Sequence, residues 1–368
     1  MPNLEILKRS TFKRHLVKDK LSFVLPFSTR KSTKYHHVED GENCKHTESM
    51  RLKISLLSLV KNFNLTDLCE FLIVSPPFDI YRAEKILRSV TNDERFKVIS
   101  ELEICPEFEI LGLLRSSKLS SLYQNFFLLL QCIRNCIFRG SYIGWLKQQL
   151  IKLAVCDVVR SSHYITLDAD VICVRKFTLN DIIQEDRALC QVEDIRDYLD
   201  LYNDFFASKE YCIKMHRCLR VVRILGFNRP NEYRDRIYSE TPVIMNTKGV
   251  WMLTQYIQNK YSLEWRKYLI KNFASWTEYP LYFQFLEGTG LLEQMYMISK
   301  KHKLWDPSTS FWQPEHRYRH EREFNNIDEY LRGVESYFIV LQTGWGVSSG
   351  NFFEKIARKI QEPQWNPE

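Results

Sequence analysis

Short apolar runs alternate with segments of helical periodicity over the first hundred residues of the chain. The runs Leu21–Pro26 and Cys69–Val74 are rich in β-forming residues, and each ends at proline or polar residues. Between them, Met50–Phe63 carries leucines at helical spacing, and Ile80–Val90 and Phe96–Leu102 continue the pattern as a helix and a strand. This order predicts an α/β fold with a mostly parallel sheet covered by helices.

The later part of the chain predicts more elements of the same kind and no clear domain boundary. They are a helix over Tyr142–Val159, strands over Ser162–Val174, Thr241–Asn246 and Tyr337–Leu341, and helices over Val250–Lys260, Ser275–Phe285 and Asn351–Ile360. We expect residues 107–139 to be helical and apolar, and residues 180–238 to be mixed, mainly helices with a mobile loop around Phe227–Asp235. Because no repeat or low-complexity linker interrupts the sequence, we predict a single domain over residues 1–368.

Charge and hydropathy restrict the class of partner. The formal net charge of +7 over 368 residues is too small for the basic surface of a nucleic-acid-binding protein. It is compatible with anionic substrates, or with contact at an anionic membrane surface. The first twenty residues lack the apolar core of a signal peptide, and the most apolar stretch, Phe126–Leu130, is too short to span a bilayer. We therefore expect a cytoplasmic protein with reduced cysteines.

Two carboxylates stand in the middle of the apolar segment Tyr164–Val174. If the segment is one extended strand, Asp168 and Asp170 point the same way, and the small Ala169 between them leaves room for a ligand. Two buried like charges need a counter-charge, and oxygen ligands at this spacing suit Mg²⁺ or Mn²⁺. The alternative is that the two aspartates cap a turn at a strand end. We predict that Asp168 and Asp170 bind a divalent metal.

Three further segments surround the acidic one in a recognisable order. Gly144–Leu153 has the pattern Trp-x-x-Gln-Gln-x-x-Lys-Leu, Ser239–Asn246 contains Thr-Pro-Val-Ile-Met-Asn, and Ser275–Tyr282 contains Thr-Glu-Tyr. From about residue 20 to 345 the chain resembles GT-A glycosyltransferases of the bacterial and viral polysaccharide type. The resemblance implies a Rossmann-like nucleotide-sugar-binding half at about 20–175, an acceptor-binding half at about 176–345 and a C-terminal helix over 346–368.

The resemblance also implies roles for residues outside the acidic segment. Asp168 and Asp170 would hold the metal and the donor phosphates, and Asp170 is expected to act in catalysis. Lys152 and Gln148 lie four residues apart on one helix face and would reach the donor, with Lys152 offering charge to a phosphate. The loop residues Phe27, Ser28 and Thr29 fall where such enzymes contact the base and the ribose. For Lys152 and Gln148, a solvated helix face is the alternative.

The second half offers a catalytic carboxylate and an amide. Glu278 follows Thr277 and has an aromatic residue nearby on each side, a combination typical of sugar recognition. We expect Glu278 to bind acceptor hydroxyls or to act as the general base. The alternative is a helix start, at which Thr277 caps and Glu278 complements the dipole. Asn246 ends a predicted strand and would hydrogen-bond an acceptor hydroxyl, unless it is only a turn residue.

A third metal ligand is not evident. One retaining GT-A family supplies it from a C-terminal His-x-x-Gly-x-x-Lys-Pro-Trp stretch, from which this sequence departs. His302, His316, His320 and Gln342 are the remaining candidates, and surface side chains are the alternative for each histidine. Residues Gln342–Gly346 are expected to form a lid or an ordinary turn.

Three functional classes follow from these patterns. The first is a glycosyltransferase that uses Mn²⁺ or Mg²⁺, a nucleotide-sugar donor and a carbohydrate or glycoconjugate acceptor. A nucleotidyltransferase or another Mg²⁺-dependent phosphoryl-transfer enzyme also uses paired aspartates. Such enzymes usually have a glycine-rich phosphate loop, however, and Leu25–Thr29 contains no glycine. A non-catalytic binding protein is the third class, and the intact Asp168 and Asp170 argue against it.

Overall fold

Strands and helices alternate along the part of the chain that the computed structural model describes, namely residues 12–29, 43–109, 142–194, 217–226, 236–238, 240–272, 276–307, 309–310, 326–341 and 350–362. The strands are β1 Val17–Pro26, β2 Leu68–Ser75, β3 Phe96–Ser100, β4 Ser161–Thr166, β5 Val171–Cys173, β6 Ile183–Gln184, β7 Arg187–Asp194, β8 Arg236–Tyr238, β9 Val243–Asn246, β10 Tyr296–Ser299 and β11 Phe338–Val340. The helices are α1 Asn43–Asn62, α2 Ile80–Arg88, α3 Glu101–Ile104, α4 Tyr142–Ala154, α5 Leu179–Ile182, α6 Thr247–Tyr261, α7 Trp265–Lys271, α8 Glu278–Thr289, α9 Leu292–Met295, α10 Ile327–Gly333 and α11 Gly350–Gln361.

The central sheet has five strands in the order β3-β2-β1-β4-β9. The β1–β2, β2–β3 and β1–β4 pairs are parallel, and only the edge strand β9 runs antiparallel, to β4. Every residue of β2 is buried, as is typical of a parallel strand covered by helices on both faces. The predicted α/β fold with a mostly parallel sheet is confirmed.

Several smaller sheets depart from the sequence-based expectation. β6, β7 and β8 lie within residues 180–238, which were expected to be mainly helical. β10 pairs in parallel with β7, whereas β6 and β8 pair with it antiparallel. The helical prediction for this region is wrong where these strands occur, because a short apolar run does not distinguish a buried strand from a buried helix.

The predicted strand Ser162–Val174 is two strands. β4 ends at Thr166 in the central sheet, and β5 starts at Val171 and pairs antiparallel with β11. Val171 and Cys173 of β5 pack in the main core, whereas Ile172 packs in a smaller cluster with residues of α1, α10 and α11. The break between the two strands therefore falls at the acidic segment.

One main core joins the two predicted halves of the chain. It contains Phe23 and Leu150 from the first half and Leu253 and Phe285 from the second. Within the described residues, no helix combines the length and the apolar character needed to cross a membrane. The predictions for residues 110–139, 227–235 and 342–346 concern segments outside the described residues.

Candidate functional site

Asp168 and Asp170 lie in a tight turn at the carboxyl end of β4. The backbone N–H of Val171 donates to the carbonyl oxygen of Asp168 at 3.0 Å and closes this turn. The predicted continuous strand through both aspartates is wrong, because β4 ends at Thr166 and β5 starts at Val171, so strand alternation does not set the directions of these two side chains. The two carboxylates instead occupy neighbouring positions of one turn, with both residues partly exposed.

This turn lies where the strand order of the central sheet reverses. β1 leads to β2 on one side, whereas β4 lies on its other side, and a crevice at the carboxyl ends of two such strands is where α/β sheets bind ligands. The Asp168 side chain is 28% exposed at this edge, whereas that of the neighbouring Lys152 is 4% exposed. Asp168 is therefore accessible from solvent, and its carboxylate forms an ion pair with the buried Lys152.

Lys152 joins two of the predicted site residues. Its Nζ lies 2.9 Å from Asp168 Oδ1 and 3.2 Å from Glu278 Oε1, and 5.2 Å from the centre of the Tyr279 ring. Burial lowers the pKa of Lys152, but Asp168, Tyr279 and Glu278 raise it, and the balance lies well above its ordinary value. The lysine is therefore a permanent positive charge between the two carboxylates.

Glu278 is buried at the first turn of α8. Burial raises the pKa of its carboxyl, and the nearby Lys152 opposes this rise. Thr277 occupies the N-cap position, but its side chain makes no capping hydrogen bond, and its buried hydroxyl has no hydrogen-bond partner among the described atoms. The alternative interpretation, a helix that starts at Glu278, is therefore correct for the backbone. The capping hydrogen bond expected from the Thr277 side chain is not formed.

Arg51 of α1 is a further cation of this region, which the sequence analysis missed. It is buried, and its Nη1 lies 2.7 Å from Glu48 Oε1. Burial and Asp168 raise the pKa of Asp170 to about 7, whereas the positive charge of Arg51 lowers it. Arg51 therefore acts electrostatically on the second aspartate of the turn.

The packing of α1 against β5 explains this position. The Ser58 hydroxyl accepts the N–H of Cys173 at 3.0 Å, and Asn62 Nδ2 donates to the Cys173 carbonyl at 2.8 Å. Ile54, one turn earlier, shares a core cluster with Ile172. Helix and strand thus run side by side in the same direction, and Arg51 lies two turns before Ser58, towards the acidic turn. Apolar spacing predicts the helix but not this register.

The loop after β1 reaches the same edge of the sheet, and its three predicted contact residues differ in position. Phe27 is buried in the main core, which removes its ring from the rim. Ser28 and Thr29 are partly exposed. Both of their hydroxyl groups donate to the carboxylate of Asp79, at 3.1 and 2.6 Å. The structure therefore brings Ser28 and Thr29 to the edge of the sheet and engages them with Asp79.

Two further predicted residues, Gln148 and Asn246, form no side-chain hydrogen bond with Asp168, Lys152 or Glu278 within the described part of the chain. Gln148 is partly buried on α4, one turn before Lys152. Asn246 pairs with His163 at the amino end of β4, because β9 is antiparallel. Its Oδ1 accepts the N–H of Gly249 at 2.9 Å, which caps α6. Its Nδ2 lies 3.0 Å from His163 Nε2. The structure therefore places Asn246 at the opposite end of β4 from Asp168, as a helix cap.

The weaker metal-ligand candidates do not complete a site. His302 Nδ1 lies 2.9 Å from Gln191 Nε2, on β7. His316, His320 and Gln342 lie outside the described residues. In the described part of the chain, no three histidine, cysteine, aspartate or glutamate side chains come together as a metal site.

Comparison with known protein families identifies the chain. A family model described as "Family of unknown function (DUF6492)" matches residues 18–362. The chain belongs to the DUF6492 family. The match includes the acidic turn, Lys152, Glu278 and Arg51. No curated protein matches this DUF6492 chain.

Three solved structures of glycosyltransferases are similar to the DUF6492 chain. Mouse xyloside xylosyltransferase 1 in its apo form is 11% identical, with 88% of this chain and 97% of that chain covered and a TM-score of 0.36. The galactosyltransferase LgtC, in complex with donor and acceptor sugar analogs, is 9% identical, with 93% and 96% covered and a TM-score of 0.39. The PaToxG glycosyltransferase is 15% identical, with 48% and 49% covered and a TM-score of 0.21. Likenesses at these TM-scores carry no argument about the reaction.

Proposed function

We propose that this DUF6492 chain is a metal-dependent glycosyltransferase of the GT-A type. It would move a sugar from a nucleotide-sugar donor, bound by residues of about 20–175, to a hydroxyl group of a carbohydrate or glycoconjugate bound by residues of about 176–345. The observation that supports this best is the meeting of Asp168, Lys152 and Glu278 at the carboxyl end of β4. Residues from both halves of the chain converge there, at the edge where α/β sheets bind ligands.

The charges around the acidic turn fit one divalent cation. Among the described residues, the four carboxyl groups of Glu48, Asp168, Asp170 and Glu278 outnumber the two cations beside them, Lys152 and Arg51. Mg²⁺ and Mn²⁺ are commonly held by one or two carboxylates together with substrate phosphates and water, so a third protein ligand is not needed. In this proposal Asp168 and Asp170 hold the ion, which when bound stabilises charge on the leaving diphosphate.

Two cations of the chain are positioned to bind phosphate on either side of the aspartates. Lys152 lies against Asp168, and Arg51 lies on the side of Asp170. The planar guanidinium of an arginine matches the geometry of phosphate oxygens, and a buried lysine presents a compact charge. Because catalysis gains from charges fixed before the reaction, the packing of both residues supports a role in stabilising the departing nucleoside diphosphate.

Glu278 is the proposed acceptor residue. Its carboxylate is buried beside Lys152 and Tyr279, and its pKa is raised, which makes it a stronger base than an exposed glutamate. It would accept a hydrogen bond from the acceptor hydroxyl or take its proton. Because Lys152 contacts Asp168 and Glu278 at once, the donor and acceptor sites would share one positioning residue.

A donor screen tests the proposed reaction. The purified chain is heated with UDP-, GDP- and CMP-sugars, with and without Mn²⁺, and the stabilising donors are then assayed for hydrolysis with and without EDTA. We expect at least one nucleotide sugar to raise the melting temperature only with metal, and EDTA to stop its hydrolysis. Stabilisation and hydrolysis that are both unchanged by EDTA would refute the metal-dependent mechanism.

Glu278→Gln tests the catalytic role separately. We expect kcat to fall about a hundredfold, the usual size of general acid–base or hydroxyl-binding contributions, while KM for the donor changes less than about twofold. Glu287→Gln is the matched control, since Glu287 is a buried glutamate of the same helix that accepts a hydrogen bond from Tyr238. A loss of kcat and donor affinity to the same extent in Glu278→Gln would indicate a structural role instead.

A further inference from the structure

Asp79 is a buried carboxylate that no functional role described above uses. It stands between the carboxyl end of β2 and the start of α2 and is 3% exposed. Its Oδ2 accepts the backbone N–H of Thr29 at 2.8 Å and the Ser28 hydroxyl at 3.1 Å. Its Oδ1 accepts the Thr29 hydroxyl at 2.6 Å. Both oxygens of a buried carboxylate are thus engaged with the loop that follows β1.

The position of Asp79 makes this arrangement informative. It is the N-cap residue of α2, where an aspartate ordinarily accepts an N–H of its own helix. Here the side chain makes no capping bond and reaches the neighbouring loop instead. Hydrogen bonds from neutral donors to a charged carboxylate are short and strong, so they compensate its burial. The Asp79 carboxylate therefore holds residues 28–29 in place of capping α2.

The fixed loop borders the crevice at the carboxyl edge of the sheet. β1 ends at Pro26, and the N–H of Phe27 donates to the Val74 carbonyl at 2.9 Å, so the first loop residue is tied to β2 as well. Thr29 follows two residues later in this loop, and β1, from which the loop emerges, is the strand next to β4 and its acidic turn. The hydroxyl hydrogens of Ser28 and Thr29 are directed to Asp79. A ligand would therefore meet the fixed backbone of this loop.

We propose that Asp79 is a positioning residue for the nucleoside part of the donor, and that it acts by holding the backbone of Ser28 and Thr29 in the conformation that binds the nucleotide. This inference rests on the proposed function. Holding a loop in its bound conformation lowers the entropy cost of binding. The effect therefore belongs to nucleotide affinity and leaves the chemical step unchanged.

Asp79→Asn tests the role, because it keeps the shape of the side chain and replaces one acceptor oxygen with an amide. Asp67→Asn is a matched control. Asp67 precedes β2, at the amino end of the sheet, and its carboxylate accepts a backbone N–H, that of Leu179, at 3.0 Å and lies 3.4 Å from the Thr66 hydroxyl. Binding of UDP, GDP and CMP with Mn²⁺ is measured by calorimetry, together with kcat and KM for the donor.

We expect Asp79→Asn to weaken nucleotide binding and to raise KM by about tenfold, with kcat within about twofold, and Asp67→Asn to leave both values unchanged. Amide hydrogen exchange in the peptide that contains Thr29 should be faster in Asp79→Asn only. Thr29→Val, which removes one of the three hydrogen bonds, should give a smaller loss of affinity; it also carries the test if Asp79→Asn does not fold.

Three outcomes would overturn the inference in different ways. If the wild type binds a nucleotide and both Asp79→Asn and Thr29→Val bind it equally well, Asp79 has no positioning role, and the proposed function stands. If affinity falls without faster exchange at Thr29, Asp79 acts on the ligand by another route. If the wild type binds none of the three nucleotides, the proposed function fails, and this inference fails with it.

Discussion

The polar side chains at the two ends of the central sheet differ in how their charges and hydrogen bonds are balanced. At the amino end, buried Glu70 accepts the backbone N–H of Arg160 at 2.7 Å and its Nε at 3.0 Å, and Ser161 donates to Ser22 at 2.6 Å. At the carboxyl end, carboxyl groups outnumber cations among the described residues around a partly exposed turn.

Under the proposed function, this difference separates polar groups that maintain the fold from groups that bind a ligand. Buried polar groups are normally satisfied within a protein, as they are at the amino end. An excess of negative charge at a ligand-binding edge weakens the fold unless a cation is bound, so its presence there indicates a function. Asn246 and His163 are of the first kind, and the proposal assigns Asp168 and Asp170 to the second.

The largest expected effect is on turnover at the carboxyl end. Asp170→Asn should lower kcat for donor hydrolysis by about a thousandfold, because removal of one preorganised charge from an active site has costs of this order. Its melting temperature without metal should not fall, since one of the excess negative charges is removed. Asp157→Asn is the control. The Asp157 carboxylate lies away from the turn and forms an ion pair with Arg266, with 2.6 Å between Oδ2 and Nη2. Near-normal kcat in Asp170→Asn would remove the functional distinction between the two ends.

The buried Lys152–Glu278 pair at the carboxyl end should contribute more to the free energy of unfolding than an exposed ion pair does. Lys152→Met leaves Glu278 buried without its cation, and we expect a loss of about 3–5 kcal/mol in the free energy of unfolding. In the double variant with Glu278→Gln part of this stability should be regained, because the buried carboxylate at position 278 is gone and only the more exposed Asp168 still lacks its cation. The control is Lys18→Met, which breaks the exposed Lys18–Asp186 pair and should cost less than about 1 kcal/mol. Equal losses in the two single variants would show that Lys152 is not held as described.

At the amino end, the buried His163 should make the stability of the fold decrease at acid pH. Burial lowers the pKa of His163 to about 4, below its ordinary value of 6.5. The unfolded chain therefore binds a proton there that the folded chain does not, so stability falls as the pH drops from 6.5 towards 4, by about 3 kcal/mol over the window. Denaturant unfolding at several pH values should show this loss in the wild type and a shallower one in His163→Gln. Identical pH profiles would contradict the burial of a neutral histidine.

Much of the fold could be predicted from the sequence because the central strands are buried on both faces. The runs around Phe23 and Phe71 read as strands, and the leucines of α1 read as one helix face, without knowledge of the tertiary structure. The end of β4 at Thr166 could not be predicted, because the apolar pattern continues through the turn into β5. Strand ends depend on the neighbouring strands, which a local pattern does not contain.

The candidate site was predictable only in part for the same reason. Asp168, Lys152 and Glu278 were chosen by residue type and motif, and the structure brings them together. Asn246 was chosen as the last residue of a predicted strand, but the sequence does not show that β9 is antiparallel, which places it at the opposite end of β4 from Asp168. Arg51 was missed, because its approach to Asp170 depends on the register of α1 against β5.

The central claim is that Asp168 and Asp170 together bind a cation that in turn binds the nucleotide. Linkage between metal and nucleotide affinity tests it most directly, by calorimetric titration of UDP, GDP and CMP with and without Mn²⁺. We predict that Mn²⁺ strengthens binding of at least one nucleotide to the wild type by about tenfold or more, and has no effect on the Asp168→Asn/Asp170→Asn double variant. Equal strengthening in the wild type and the double variant, or none in the wild type, would contradict the claim.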